Sequence, residues 1–175
     1  MNIIAGVREL DAELQRSLAS FFNCGNVSID RFIRSSEALD PGYGKTFVWL
    51  SYDESEIIGF YNITTGSVDS LNEENTNYKV GGAIHINQFA LSEEYQGQEF
   101  DKSIKASDFL LAECLDRIYS IRKNVGFSFI TLQSTERGFS LYKRNDFEEI
   151  EEDMQIVQTE HEIKCTPMYL ALDVE

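Results

Sequence analysis

Apolar positions along this chain fall into two periods. Leu10, Leu14, Leu18 and Phe21 recur at helical spacing, which predicts an amphipathic helix ending near Asn23 to Gly25. Asn26 or Ser28 can cap a second short helix carrying Ile29, Phe32 and Ile33. Pro41-Gly42-Tyr43-Gly44 breaks the chain. Thr46 to Tyr52 is β-branched and aromatic and reads as a strand. Asp53 to Glu56 is a turn, and Ile57 to Thr65 returns as the second arm of a hairpin. Gly66 to Lys79 is polar and poorly patterned, so it either extends that arm or loops. Gly82 to Leu91 reads as a further strand.

The helical period then returns. Ile104, Leu110, Leu111, Cys114, Leu115, Ile118 and Ile121 predict a long helix, stopped by Asn124-Val125-Gly126. Phe127 to Gln133 is apolar on both faces, as expected of an inner strand covered on both sides. Ser134 is placed to cap a short helix containing Tyr142, with Glu136 near its positive end. Phe147 to Glu151 and Met168 to Asp173 read as two closing strands. This order predicts a mixed α/β fold, one domain spanning residues 1–175, with one central sheet.

Composition narrows the function classes. The 42% apolar and 12% aromatic content fits a globular chain. No apolar run reaches the roughly 18 residues a membrane helix needs, and Met1 to Leu10 lacks the pattern of a secretory signal. Cys24, Cys114 and Cys165 are scattered without CxxC spacing, and His85 and His161 are too few for a histidine-based centre. No metal site and a reducing cytoplasm are therefore expected. The net charge of −15 disfavours non-specific binding to nucleic acid or anionic membrane and favours a cationic substrate; plain solubility explains it equally well. The charge is uneven. Arg117, Arg122, Lys123, Arg137, Lys143 and Arg144 form a modest basic zone, followed by the acidic run Asp146 to Asp153.

The segment Phe139-Ser140-Leu141-Tyr142-Lys143-Arg144-Asn145-Asp146-Phe147 carries the most chemistry. A phenol (pKa about 10) stays protonated near neutrality and can donate a proton to a leaving group. An isolated tyrosine is more often a core residue. Here it follows, in order, Ile84-His85-Ile86-Asn87-Gln88-Phe89-Ala90-Leu91, then Tyr95-Gln96-Gly97-Gln98, a long helix, and the strand from Phe127. Together these pieces resemble the GNAT superfamily of acetyl-CoA-dependent N-acetyltransferases. Phe22-Asn23-Cys24-Gly25-Asn26 and Ile57-Ile58-Gly59-Phe60-Tyr61 resemble the branch containing tRNA-acetylating toxins of toxin–antitoxin pairs.

The resemblance implies a twisted, mostly antiparallel sheet of six to seven strands flanked by about four helices. It implies acetyl-CoA as co-substrate, with Tyr142 as general acid at the thioester sulfur. Backbone groups of Phe89, Ala90 and Leu91 would pair with the pantetheine arm. Gln96, Gly97 and Gln98 would begin the pyrophosphate loop. The family's loop pattern has small residues where Glu99 and Asp101 stand. Carboxylates there would repel phosphate, by about 1 kcal/mol per pair in water and more in a less polar site. The loop therefore reads as carrying an insertion, Glu99 to Ala106, with Lys102, Ser103 and Lys105 reaching the phosphates instead, or as a weakened cofactor site. Asn145 and Ser134 are candidates for positioning the cofactor, and Arg137 and Lys143 for its adenine-side phosphate; caps and a solvated helix face are the simpler alternatives.

For the base, Glu93, Glu94, His85 or a held water are open, and His85 is more often a core histidine. Asn87 or Gln88 would face the cleft. The acceptor is a primary amine on a small molecule or protein. The toxin-like pieces point to tRNA, which the acidity opposes. A homodimer is compatible with the resemblance. The rival class is a GNAT-fold binding or regulatory module without catalysis, favoured by Glu99 and Asp101.

Overall fold

The structure is a computed structural model that describes residues 6–71, 74, 76–101, 103–157 and 164–173. Its elements run β1 (Val7–Glu9), α1 (Ala12–Leu18), α2 (Val27–Arg34), β2 (Lys45–Leu50), β3 (Ile57–Leu71), β4 (Asn77–Leu91), β5 (Glu99–Asp101), β6 (Ile104–Lys105), α3 (Ala106–Arg122), β7 (Phe129–Ser134), α4 (Phe139–Lys143), β8 (Glu148–Glu149), β9 (Met154–Ile156) and β10 (Thr166–Ala171). The strands hydrogen-bond in the order β1-β2-β3-β4-β7-β10-β8, with β9 on β3. The mixed α/β class and mostly antiparallel sheet are as expected. The sheet holds eight strands because two short edge pieces, β1 and β9, join it.

Contacts divide the chain into two compact units, residues 1–63 with 88–117, and residues 64–87 with 118–175. In the first, Asp11 caps α1 by accepting from the amides of Glu13 and Leu14, both at 2.9 Å. Asn26 rather than Ser28 caps α2, accepting from Ser28 and Ile29. The helices bury Leu14, Phe32 and Ile33 against Val48, Leu50 and Phe60 of β2 and β3. Phe60 sits edge-on to Phe22 at 5.2 Å and stacks on Phe32 at 6.3 Å. The alternate residues of β2 are covered too. Trp49 packs on Phe109 of α3, and Arg117 lies 4.0 Å above the Phe47 ring while its Nε donates to the buried Tyr61 hydroxyl at 2.8 Å. Cover on both faces explains the unbroken burial of Thr46 to Leu50.

In the second unit, β4 and β7 are parallel, pairing Ala83 to Ile86 with Phe129 to Leu132. β10 runs antiparallel to β7 from Thr166↔Ser134 to Ala171↔Phe129. Ile84, Ile86, Ile130, Leu132 and Met168 are buried here. The segment beyond Thr65 continues β3 to Leu71, where Val68 to Ser70 pair with β9.

Ser134 does not cap the tyrosine helix. It is the last residue of β7, and its hydroxyl donates to Thr135 O. The helix begins only at Phe139, after Gly138, with no side-chain cap. The tight turn Thr135 to Gly138, closed by Gly138 N to Thr135 O at 3.1 Å, takes up the residues that a longer helix would have used.

Gly59 fixes the packing at the end of β4. A Cβ there would stand 2.7 Å from Ala90 O and 2.8 and 2.9 Å from methyls of Leu91 and Leu110. The backbone carbonyl cannot swing aside. Gly59→Ala is expected to destabilise the fold by about 1–3 kcal/mol through overpacking; a urea midpoint unchanged from wild type contradicts this.

Candidate active site

Tyr142 owes its seat to the way α4 ends. Asp146 adopts φ +66°, the left-handed region, and Phe147 N donates to Tyr142 O at 3.1 Å. This six-residue return is the Schellman stop, whose usual companion is an apolar contact between the two bonded residues. Here that contact is the Tyr142 and Phe147 rings, edge to face at 5.7 Å. The spacing of tyrosine and phenylalanine in the sequence is thus the spacing the stop requires. Gly138 also approaches the ring: a Cβ on it would lie 3.2 Å from Tyr142 Cε2. Tyr142 is buried, 6% exposed, and Phe147 1%. Asn145 belongs to the same stop: its Nδ2 donates to Leu141 O at 2.8 Å and its amide to Tyr142 O at 3.0 Å. It closes the helix here, the simpler of its two expected roles.

His85 is the cross-strand partner of Thr131 and shares a 2.9 Å hydrogen bond between Nδ1 and Thr131 Oγ1. It is 1% exposed. Burial holds its pKa down to about 4. A neutral imidazole this reluctant to gain a proton suits the core role. The partner was visible in the sequence only as a threonine on the next inner strand. The β4–β7 ladder ends at Ile86 and Leu132, although β4 runs on to Leu91 and β7 to Ser134.

The candidates from Phe89 to Lys105 lie in the first unit. Ala90 and Leu91 have buried side chains and so offer a ligand their backbone, while Phe89 is half-buried. Leu91 O is already taken by Gln96 Nε2 at 2.9 Å, and the same amide nitrogen donates to Cys24 O at 2.9 Å. In the loop, Gln96 N is bonded to Glu93 O and Gln98 N to Tyr95 O. Gly97, at φ +75°, borders open space: a Cβ there would meet nothing within 4 Å. Its N–H makes no hydrogen bond among the described residues. Gln98 O accepts from Ala106 N at 3.0 Å and so closes the base of the β5–β6 hairpin.

β5 and β6 form that hairpin, with Glu99 and Lys105 facing each other across it. Ser103 and Lys105 are exposed, and Lys102 lies outside the described residues. Glu93 accepts from Asn23 Nδ2 at 3.0 Å; Glu94 is exposed, and its carbonyl accepts from Gln98 Nε2. Asn87 and Gln88 are half-buried, and Arg137 and Lys143 are exposed. Sequence reasoning missed the clamp made by Gln96, because nothing local links it to Cys24.

No family model and no curated protein matches this chain. Solved structures do. A bacterial toxin shares 18% identity, with 96% of this chain and 92% of that one covered and a TM-score of 0.69. AtaTR bound with acetyl-CoA shares 16% identity over 95% and 92%, at 0.69. AtaT complexed with acetyl-methionyl-tRNAfMet shares 18% over 86% and 92%, at 0.64. The chain has the GNAT fold. Within that fold β4 is the central strand, Gln96 to Ala106 is the loop that leads into α3, and α4 is the tyrosine-bearing helix.

The native state resists protonating His85, whereas the unfolded chain takes the proton near the ordinary 6.5. Stability from this group is therefore full above about 6.5 and is lost as pH falls toward 4, by about 3 kcal/mol. Denaturant titrations should show His85→Gln lacking this share of the acid-side decline; parallel curves for the two proteins contradict it. At the helix stop, Asp146→Gly should raise stability by about 0.5–1 kcal/mol by relieving the left-handed backbone, while Asp146→Val should lower it. Equal melting temperatures for all three would refute the assignment of that strain.

Proposed function

We propose that this protein is an acetyl-CoA-dependent N-acetyltransferase with Tyr142 as its general acid. The observation that carries the reading is the seat of Tyr142: a phenol on a helix whose end is tied off by its own carbonyl and ring, in a chain of GNAT fold. The AtaT structures, of the same fold, include one with acetyl-CoA and one with an acetylated aminoacyl-tRNA. Acetyl-CoA supplies an activated thioester carbonyl. The chain's part is to bind and orient it and to manage two protons. Backbone of Phe89 and Ala90 would align the pantetheine arm. Gly97 N–H, in open space, and the first turn of the 17-residue α3 suit the pyrophosphate. Gln98, Ser103, Lys102 and Lys105 would border it.

The amine attacks the carbonyl carbon directly, the carbon–sulfur bond breaks, and Tyr142 gives its hydroxyl proton to the departing sulfur. The proton lost by the amine goes to Glu93 or to water. His85 is unsuited to that task by its burial.

The acceptor is a primary amine. The charge of −15 favours a cationic small molecule or a lysine-rich protein. The aminoacyl-tRNA in the AtaT complex supports the α-amine of a charged tRNA as the second acceptor class to test. An antitoxin partner is part of the same reading, since AtaT is bound to the C-terminus of AtaR. The β5–β6 hairpin with Glu99 favours the rival reading, a binding module without turnover.

Acetyl-CoA at a hundred times its dissociation constant should stabilise the fold by about 2.7 kcal/mol; no stabilisation at millimolar acetyl-CoA leaves the binding module. With a polyamine, a lysine-rich protein and charged tRNA as acceptors, Tyr142→Phe should cut turnover by roughly 10²–10⁴-fold and leave acetyl-CoA affinity unchanged. Wild-type turnover in that variant removes Tyr142 from the mechanism.

A further inference from the structure

Gln96 stands where the fold resemblance expects a phosphate contact, yet its side chain is engaged elsewhere. Its Nε2 donates to two main-chain carbonyls, Cys24 O and Leu91 O, each at 2.9 Å. These carbonyls belong to segments far apart in sequence. One lies between α1 and α2, in Phe22 to Gly25; the other is the last residue of β4. Two more bonds join the same segments: Glu93 N donates to Asn23 O at 2.9 Å, and Asn23 Nδ2 donates to Glu93 Oε2 at 3.0 Å. Behind the segment, Arg34 binds Ala19 O and Phe22 O, and buried Asp30 accepts from Cys24 N at 2.9 Å. Phe22 and Cys24 are buried in the core with Ala90.

We propose that Gln96 is a positioning residue: its carboxamide clamps the Phe22–Gly25 segment to the end of β4 and so fixes Asn23 against the Glu93 carboxylate. The clamp is geometric and independent of any ligand. Only its catalytic meaning, the aiming of Glu93 at the amine's proton, rests on the acetyltransferase reading. An amide is the side chain for this task. It presents two N–H donors from one nitrogen, which a methionine of similar length lacks and a glutamate replaces with acceptors that would repel both carbonyls.

Cys24 reports the clamp directly. Its thiol is buried, and burial with the nearby Asp30 pushes its pKa up to about 12, so alkylation at pH 7.5 (roughly neutral) requires the segment to open. Cys114, wholly buried on α3, serves as the internal control for global unfolding. Alkylation by N-ethylmaleimide, followed per cysteine by mass spectrometry, should show the Cys24-to-Cys114 rate ratio rising at least about tenfold in Gln96→Met. Gln96→Arg, which keeps adjacent N–H donors, should return the ratio to within about threefold of wild type.

Acetyl-CoA affinity, measured by calorimetry on the same proteins, should stay within about threefold in Gln96→Met, because the amide nitrogen is committed to two main-chain carbonyls. An unchanged rate ratio in Gln96→Met, or an Arg variant as open as the Met variant, overturns the clamp. So does a tenfold loss of acetyl-CoA affinity with Cys24 still protected, which would make Gln96 a phosphate ligand. A wild-type protein that binds no acetyl-CoA sinks the transferase reading alone, and the thiol ratio still decides the clamp.

Discussion

One parallel strand pair governs this fold. β4 and β7 lie side by side in the same direction over Ala83 to Ile86 and Phe129 to Leu132. A tight turn cannot make such a pair; the chain must cross over, which takes a dozen or more residues and commonly a helix. Everything from Ser92 to Ser128 is that crossover: the Gln96 loop, the β5–β6 hairpin and α3. The loop after β4 and the turn before α4 each follow the carboxyl end of a strand in this pair. Ligands of open α/β sheets gather outside such carboxyl ends.

Much of this was legible because local chemistry and tertiary role coincide. Thr46 to Tyr52 reads as a strand from its β-branched and aromatic composition, and β2 runs over Lys45–Leu50. Asn26 can cap α2 and does. The tyrosine and phenylalanine five apart are readable as a pair, and the structure supplies the reason: the helix stop bonds residues at that separation. The segment after Gln98 stands out in the sequence by its charges where small residues are expected, and it holds the β5–β6 pair.

What was not legible depends on partners distant in sequence. The far half of β3 is polar because part of it faces solvent, and its partners are distant or later in sequence: β4 in the sheet and β9, residues 154–156, on Val68 to Ser70. β1 is three residues long and exists through its register with Phe47 to Trp49. Ser134 has a capping side chain but sits at the end of a paired strand, Thr166 opposite, so the ladder claims its backbone first. Gln96 is the sharpest case. Its residue type fits a phosphate loop, while its two bonds join carbonyls that only the folded chain brings together.

As proposed, acetyl-CoA binds through the end of β4 and the Gln96 loop, with Tyr142 as the acid. Peptide-resolved hydrogen–deuterium exchange with and without acetyl-CoA tests it most directly, since each segment reports separately. The account predicts slowed exchange in residues 88–98, at the start of α3, and in residues 135–147, with the α1 region unchanged. Exchange that is identical with and without saturating acetyl-CoA in all three segments, or protection confined to some other part of the chain, contradicts it.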